Sequence, residues 1–369
     1  MNRIRRHYAI VGENPSDIFL PLVDYRFDQY PDLVLFYPPH VESNAEAIAS
    51  YVNNNFGRKV ELIPLPSAVE SDGIGIIFEQ HAVSHEVSSA VLNLSGCAPL
   101  YAIPAFQAFA KAGHPVFVVE QDSDQLLWLS NGAGNYAPFN VADESSLRKF
   151  LVGHAVQWIA AEQTCHRVKH DWNLAALSFA RAAPHCRDAV KALGVYAKGG
   201  VVDEAVFQDS DFKNLSGILS SNGICSLVDG RPQFDSAEAK NFASGGWLEY
   251  AVFYAARNLL KEGLIQDLVC GLKVEKAGAL AEWDVVFLAN NNLHIIECKA
   301  TAFLGMDALF KLESLARAVG AYSMLISLAP PTDPERKRAA EMDIKCMTWG
   351  GGVSLEDVIR QWIKGILAE

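Results

Sequence analysis

Residues 281–300 read AEWDVVFLANNNLHIIECKA, and this stretch holds the side chains best placed to do chemistry. Asp284 stands at the head of one apolar run, and Glu297-x-Lys299 at the tail of the next. Between them Asn290-Asn291-Asn292 reads as a tight turn, so the two runs are expected to pair as an antiparallel hairpin. In that geometry the start of the first strand lies beside the end of the second. Residues 297 and 299 project to one face because side chains alternate along a strand. Two carboxylates and a lysine would then share one spot. Ile295-Ile296 mark a buried strand, where a glutamate is costly unless it is paired or bound to a cation. Magnesium and manganese take oxygen ligands, and Asp284, Glu297 and the main-chain carbonyl of Cys298 are the candidate ligands. A divalent cation held there stabilises charge at phosphorus and acidifies water, which suits phosphodiester hydrolysis. Lys299 is expected to position or help deprotonate that water. Glu249, on an otherwise mostly apolar helix just upstream, is expected to assist. Taken alone, such a pattern is common among ordinary surface polar residues. The order helix, hairpin, helix sets this instance apart.

The elements that must carry this group read clearly in the last third. Helices are expected over Gly246–Gly263, Met306–Val319, Glu335–Met342 and Leu355–Leu367. Strands are expected over Leu268–Glu275, Glu282–Leu288, Leu293–Cys298 and Ser323–Leu328. The first 130 residues alternate differently. Short apolar runs (Tyr8–Val11, Leu33–Tyr37, Val60–Leu65, Ala90–Leu94, Pro115–Val119) are separated by helical stretches (16–28, Asn44–Phe56, Leu100–Ala112). That alternation implies a largely parallel sheet covered on both faces, with Leu126–Leu129 closing it as a hairpin. Ligands bind beyond the carboxyl ends of such strands, which points to the loops Gly12–Pro15, Pro38–Ser43 and Ser95–Ala98. Asn131–Asn140 reads as a linker. Residues 144–200 read as mostly helical, around Leu147–Ala161 and Leu174–Ala183. Leu215–Leu219 is a small helix and Ser226–Val228 a strand, with no chemistry assigned to this middle segment.

Composition sets the frame. The chain has 369 residues, half of them apolar and one fifth charged, which describes a folded protein of two or three domains. The formal net charge is −12, unlike a typical nucleic-acid binder. From Lys240 onward there are 14 Lys+Arg and 16 Asp+Glu, a net of −2, so the remaining −10 lies in front of it. A local basic groove is therefore still compatible with the rear part. The seven cysteines form no CxxC pair, which speaks against a disulfide framework or zinc site. No apolar run is long enough to span a membrane, and no long apolar stretch follows the basic N-terminus. The expectation is a cytoplasmic chain with no membrane partner.

Three blocks make the pattern more specific: Gly245-Gly246-Trp247-Leu248-Glu249, then Glu282-Trp283-Asp284-Val285, then Ile296-Glu297-Cys298-Lys299. Together they resemble the PD-(D/E)xK nuclease fold, and more narrowly the CRISPR-associated nucleases activated by cyclic oligoadenylates. Those join an N-terminal CRISPR-associated Rossmann fold (CARF) domain to such a nuclease. The front of the chain is similar to a CARF domain, through Leu92-Asn93-Leu94-Ser95-Gly96 followed by a helix, then Pro115–Val119 and Leu127-Trp128-Leu129. Two positions depart from the family pattern. Cys97-Ala98-Pro99 stand where many members have Gly-Thr-Lys, and Trp283 replaces a leucine.

The resemblance implies an α/β chain: a Rossmann-like CARF domain over 1–135, a linker and helical middle segment over 136–240, and a restriction-endonuclease-like PD-(D/E)xK domain over 241–369. It implies a Mn²⁺- or Mg²⁺-dependent endonuclease acting on DNA, single-stranded or by nicking, with RNA as a further substrate. Activation would come from a cyclic oligoadenylate, foremost cyclic tetra-adenylate, bound across a homodimer interface in type III CRISPR antiviral defence. The front-site candidates are Gly12, Glu13, Asn14, Pro39, Ser43, Ser95, Gly96 and Cys97, holding phosphates through backbone N–H groups and bases through polar contacts. Asn44 or Ser43 is also a natural helix cap. Two other readings compete: an unswitched repair or restriction nuclease, and a non-enzymatic cyclic-nucleotide sensor. His154, His166, His170 and His185 lack metal spacing and read as structural. Lys311 and Arg336-Lys337-Arg338 read as solvated cations within reach of a nucleic-acid backbone.

Overall fold

The long apolar runs of the front third fold into a sheet buried on both faces. The structure, a computed structural model, describes residues 5–13, 15–23, 32–67, 73–84, 89–120, 124–132, 135–143, 145–168, 171–276, 278–300, 306–350 and 352–365. It divides into two units. The first comprises Met1–Trp158 with Glu275–Ala279 and Asn290–Asn292, and the second comprises Ile159–Val274, Leu280–Ala289 and Leu293–Glu369.

In the first unit the strands are β1 (Arg6–Ile10), β2 (Asp32–Tyr37), β3 (Val60–Pro64), β4 (Ala90–Asn93), β5 (Val116–Glu120), β6 (Gln125–Ser130) and β7 (Phe139–Asn140). The helices are α1 (Ser16–Val23), α2 (Glu42–Phe56), α3 (Ile74–Val83), α4 (Pro99–Lys111) and α5 (Leu147–Gly153). The sheet runs β3-β2-β1-β4-β5-β6-β7. Its first five strands are parallel, and β6 and β7 are antiparallel additions. The expected Leu126–Leu129 hairpin strand is β6, though its expected turn, residues 122–124, lies mostly outside the described residues. Strand order reverses between β1 and β4, so the loops after these two strands flank the topological switch point. Tyr8, Phe36, Phe78 and Phe109 pack together beneath the sheet, with Tyr8 and Phe109 ring centroids 5.0 Å apart. The stretch read as a linker is partly ordered into the sheet: β7 pairs with β6, and Tyr136 stacks on Trp128 at 4.7 Å.

The second unit contains β8 (Gln157–Thr164), α6 (Asn173–Ala182), α7 (Arg187–Ala197), α8 (Ser210–Ser221), β9 (Ser226–Val228), β10 (Arg231–Gln233), α9 (Ala237–Asn241) and α10 (Trp247–Lys261). It continues with β11 (Asp267–Lys276), β12 (Ala279–Ala289), β13 (Asn292–Lys299), α11 (Met306–Val319), β14 (Tyr322–Ser327), α12 (Asp333–Glu341), β15 (Ile344–Thr348) and α13 (Leu355–Ile363). The main sheet runs β15-β14-β13-β12-β11-β8, with β13, β14 and β15 parallel. The middle helices share one core with the nuclease-like part. Phe179 of α6 packs on Trp247 of α10 at 5.1 Å, and the Trp349 indole donates to the Ala180 carbonyl at 2.7 Å.

Two expectations fail here. The helix read over Leu147–Ala161 stops at Gly153, Ala155 turns left-handed (φ 56), and Gln157–Thr164 forms the edge strand β8. An edge strand is half exposed and need not alternate strictly, so its Ile-Ala-Ala run passes for helix. β15 was not anticipated, because Ile344-Lys-Cys-Met-Thr is a short strand at the opposite edge with mixed polarity.

Candidate active site

Asn290 and Asn291 both adopt left-handed backbone (φ 48 and φ 55), the conformation a two-residue hairpin turn requires and asparagine tolerates. This turn joins β12 to β13. The structure extends β12 back to Ala279, so Asp284 lies within the strand rather than at its head. The hairpin still brings the expected groups together. The Cys298 N–H donates to Asp284 Oδ2 at 2.7 Å, which ties the carboxylate of one strand to the backbone of the other. Lys299 Nζ donates to Glu297 Oε1 at 2.6 Å, and Lys311 Nζ, from α11, lies 4.0 Å from the same oxygen. Glu297 is 3% exposed, so this carboxylate is buried between two ammonium groups. Residues 301–305, which follow the strand, lie outside the described residues.

Electrostatics mark the group as crowded with negative charge. Burial, then the Glu297 charge, pushes Asp284 up to about 7, against the Cys298 hydrogen bond and the two lysines. Burial also drives Glu249 well above the carboxylate range, reinforced by Asp284 and Glu162. For Lys299 burial alone would lower the pKa, but the Glu297 charge and hydrogen bond and Asp284 outweigh it, and the net shift is upward. The surrounding carboxylates thus favour the ammonium form of Lys299. Cys298 is buried, and its thiol is held protonated by burial and the surrounding carboxylates. Its backbone N–H is what contacts the group, through Asp284.

Glu249 sits in the first turn of α10, just after a π-turn over Phe242–Gly246. Its neighbours Trp247, Leu248, Tyr250 and Ala251 are all buried, which fixes the helix and directs the carboxylate at the hairpin. Glu162 was missed by sequence reasoning. It reaches the group because Gly271 of β11 has no side chain: a Cβ there would meet Glu162 Cγ at 2.5 Å. No signal near residue 162 gives this away, since the contact is made across strands through a glycine.

Buried carboxylates that raise one another's pKa fit a bound cation, whose charge reverses that penalty. Among the described residues no three His, Cys, Asp or Glu side chains converge as a metal-binding group. The candidates read from the sequence, Asp284, Glu297 and the Cys298 carbonyl, offer two carboxylates and one main-chain oxygen, a donor type that suits magnesium or manganese. Magnesium and manganese accept so few protein ligands because water and substrate phosphate complete the shell.

In the first unit the expected loops at the switch point meet. A Cβ on Gly12, after β1, would lie 2.1 Å from the Gly96 carbonyl oxygen, after β4. Ser95 is buried; its hydroxyl donates to Asn93 Oδ1 and accepts from the Val119 N–H at 2.8 Å, so its side chain is used within the fold. Cys97 donates its thiol to the Leu94 carbonyl at 3.2 Å, and burial pushes its pKa up to about 12. Glu13, Pro39 and Ser43 are exposed, and Asn14 lies outside the described residues. The cap of α2 is Val41, with no side-chain cap, so neither Ser43 nor Asn44 plays that part. Asn44 instead donates to the Gly12 and Glu13 carbonyls at 3.3 and 3.4 Å, fixing the β1 loop. Arg336 and Arg338 are engaged locally by Asp333 and Glu341. Of the four histidines read as structural, His154 is buried, while His170 lies outside the described residues.

The chain thus joins a Rossmann-like sheet, its loops gathered at the switch point, to a second unit whose Asp…Glu-x-Lys hairpin lies behind a Glu-bearing helix. Residues 236–366 match the family model of the Card1-like endonuclease domain. In overall structure the chain is similar to protein VC1899 from Vibrio cholerae, with a TM-score of 0.85, 22% identity and full coverage of both chains. It is also similar to Can2 from Sulfobacillus thermosulfidooxidans, solved in complex with cyclic tetra-adenylate (TM-score 0.77, 20% identity, 98% of this chain and 97% of that one). A type III CRISPR defence DNA nuclease activated by cyclic oligoadenylate matches at a TM-score of 0.55 and 16% identity, over 89% of this chain and 47% of that chain. Comparison with functionally curated proteins gives no match. No helix among the described residues is long and apolar enough to cross a membrane.

Proposed function

We propose that this protein is a divalent-metal-dependent endonuclease of type III CRISPR defence, cleaving DNA and switched on by a cyclic oligoadenylate, foremost cyclic tetra-adenylate. The observation that carries the reading is the buried Asp284–Glu297–Lys299 group in a domain of Card1-like endonuclease type. Asp284 is oriented by the Cys298 N–H, and Glu297 is held by Lys299. Lys299, kept protonated, offsets carboxylate charge and orients water or phosphate. Glu249 and Glu162 complete the acidic surround. A Mg²⁺ or Mn²⁺ ion on Asp284, Glu297 and the Cys298 carbonyl supplies charge stabilisation at phosphorus.

The activator site belongs to the first unit, at the loops after β1 and β4. Its chemistry suits phosphates held by backbone N–H groups, since the unit is acidic and neither the Ser95 hydroxyl nor the Cys97 thiol is free to contribute. The likeness to a cyclic tetra-adenylate complex supports the ring as ligand. A two-fold ring suits a homodimer, and switching follows if the ring favours the dimer geometry that admits substrate.

The test is cleavage of single-stranded DNA, duplex DNA and RNA with Mn²⁺ or Mg²⁺, with and without cyclic tri-, tetra- and hexa-adenylate. Glu297→Gln and Asp284→Asn are expected to lose roughly 10²–10³-fold or more in rate while still melting cooperatively as folded proteins. Equal cleavage with and without every ring would sink the switch. Absence of cleavage throughout, with Glu297→Gln indistinguishable from wild type, would sink the enzyme.

A further inference from the structure

In a chain of net charge −12, one helix face lines a cleft with basic charge only. Arg187, Lys191 and Lys198 lie on α7 and just past its end, spaced i, i+4 and i+11, so they share a side of the helix. All three are exposed, and none makes an ion pair among the described residues. They rim a cleft of about 590 Å³. Its floor is made of the segments that carry the catalytic group. Ala300 directly follows Lys299, and Ser244 sits in the π-turn leading to Glu249. These two segments touch: a Cβ on Gly245 would stand 3.5 Å from Ala300 Cβ. Leu328-Ala329-Pro330, at the end of β14, form the far wall. No acidic and no aromatic residue is among the described residues lining the cleft.

We propose that this cleft is the track for the substrate strand, with Arg187, Lys191 and Lys198 binding the phosphates that flank the scissile bond of a single-stranded nucleic acid. The inference rests on the nuclease reading and adds where the substrate lies. Three unpaired cations beside a phosphodiesterase group are placed where the strand carries its charge. Arg187 and Lys191 are about 6 Å apart along the helix axis, and Lys191 and Lys198 about 10 Å. That puts flexible, charged side chains along the cleft rather than at one point. The absence of aromatic lining removes base stacking as the grip, so this face reads backbone and tolerates any sequence. A cleft of this volume admits part of one strand. A duplex, whose major groove alone is about 12 Å wide, would have to ride outside it.

The test uses the full chain with Arg187→Ala, Lys191→Ala and Lys198→Ala combined, and a second version with all three changed to glutamate. Exposed positions on a helix surface leave the fold intact, checked by the melting temperature. Binding of a fluorescent oligothymidylate is measured by anisotropy in EDTA across a salt series. Hydrolysis of bis(p-nitrophenyl) phosphate with Mn²⁺, with and without cyclic tri-, tetra- and hexa-adenylate, is measured in parallel, as a diester too short to reach α7. The expected result is a Kd raised tenfold or more, and a slope of log K against log salt flatter by about 2, near 0.7 for each lost phosphate contact. The glutamate version abolishes binding, while small-diester hydrolysis stays within twofold. An unchanged Kd and salt slope in the triple variant overturns the inference. Tighter binding of a duplex than of the single strand overturns the choice of substrate. Failure of the wild-type chain to hydrolyse the small diester with Mn²⁺, with or without cyclic tri-, tetra- or hexa-adenylate, while the slope difference is intact, overturns the nuclease reading and leaves the strand-binding face standing.

Discussion

Gly271 interrupts β11 in the left-handed region (φ 62), and Glu162 fills the space a side chain would take. Gly271→Ala is penalised twice, by its backbone conformation and by collision with Glu162 Cγ. The expected cost is about 1–3 kcal/mol for the backbone alone, seen as a lower melting temperature of the second unit. Adding Glu162→Ala should recover the steric part and leave the backbone part, which a melt of the double variant checks. This position also marks the limit of what one sequence reveals. Asp284, Glu297 and Lys299 were legible because a short asparagine turn brings them together within one hairpin. Glu249 was legible because a charge on an otherwise buried helix stands out. Glu162 was not, since its place depends on a glycine more than a hundred positions away in sequence.

The parallel strands of the first unit end at loops that press on one another. Gly12 has no room for even a methyl group, its Cβ position being 2.1 Å from the Gly96 carbonyl. Gly12→Ala must separate the ends of β1 and β4, at a cost of about 1–3 kcal/mol for overpacking. The same variant should weaken the response to the cyclic nucleotide more than it weakens hydrolysis of a small diester by the second unit. Equal loss of both would argue against a ligand site at this junction. Elements whose pattern is strong were read almost to the residue. Met306–Val319 follows the helical period throughout, and Leu33–Tyr37 is a continuous apolar run between turn residues. The edge strands β8 and β15 were lost because half-exposed strands at a sheet border owe their pairing to a neighbour, not to their own alternation.

Across the molecule, the two units should respond to pH with opposite sign. His7 and His154 are buried in the first unit and held neutral, each lowered from 6.5 to about 3 by desolvation, with Lys276 adding to the effect on His154. In the unfolded chain both protonate near 6.5. Their contribution to stability is therefore complete above that pH and is lost as pH falls from about 6.5 toward 3. At pH 5 each costs about 2 kcal/mol. Asp284 works the other way: raised from 3.8 to about 7, it burdens the second unit as pH rises through that interval. Calorimetry between pH 5 and 8 should show the first unit's transition falling on acidification, and His7→Phe should flatten that fall. An acid-insensitive first transition in the wild-type chain would contradict the buried neutral histidines.

The turn at Asn290-Asn291 is two residues long, and the strands it joins take their register from it. One extra codon there, in frame, keeps every one of these letters in the gene but has to be absorbed by a longer loop or by a one-residue slip of β13, and the slip turns Glu297 and Lys299 toward the opposite side of the sheet. A slip of that kind would silence the site by length alone. A survey that scores these genes by the presence of Asp, Glu and Lys would count such a chain as intact, so the spacing across this turn should be scored with the residues.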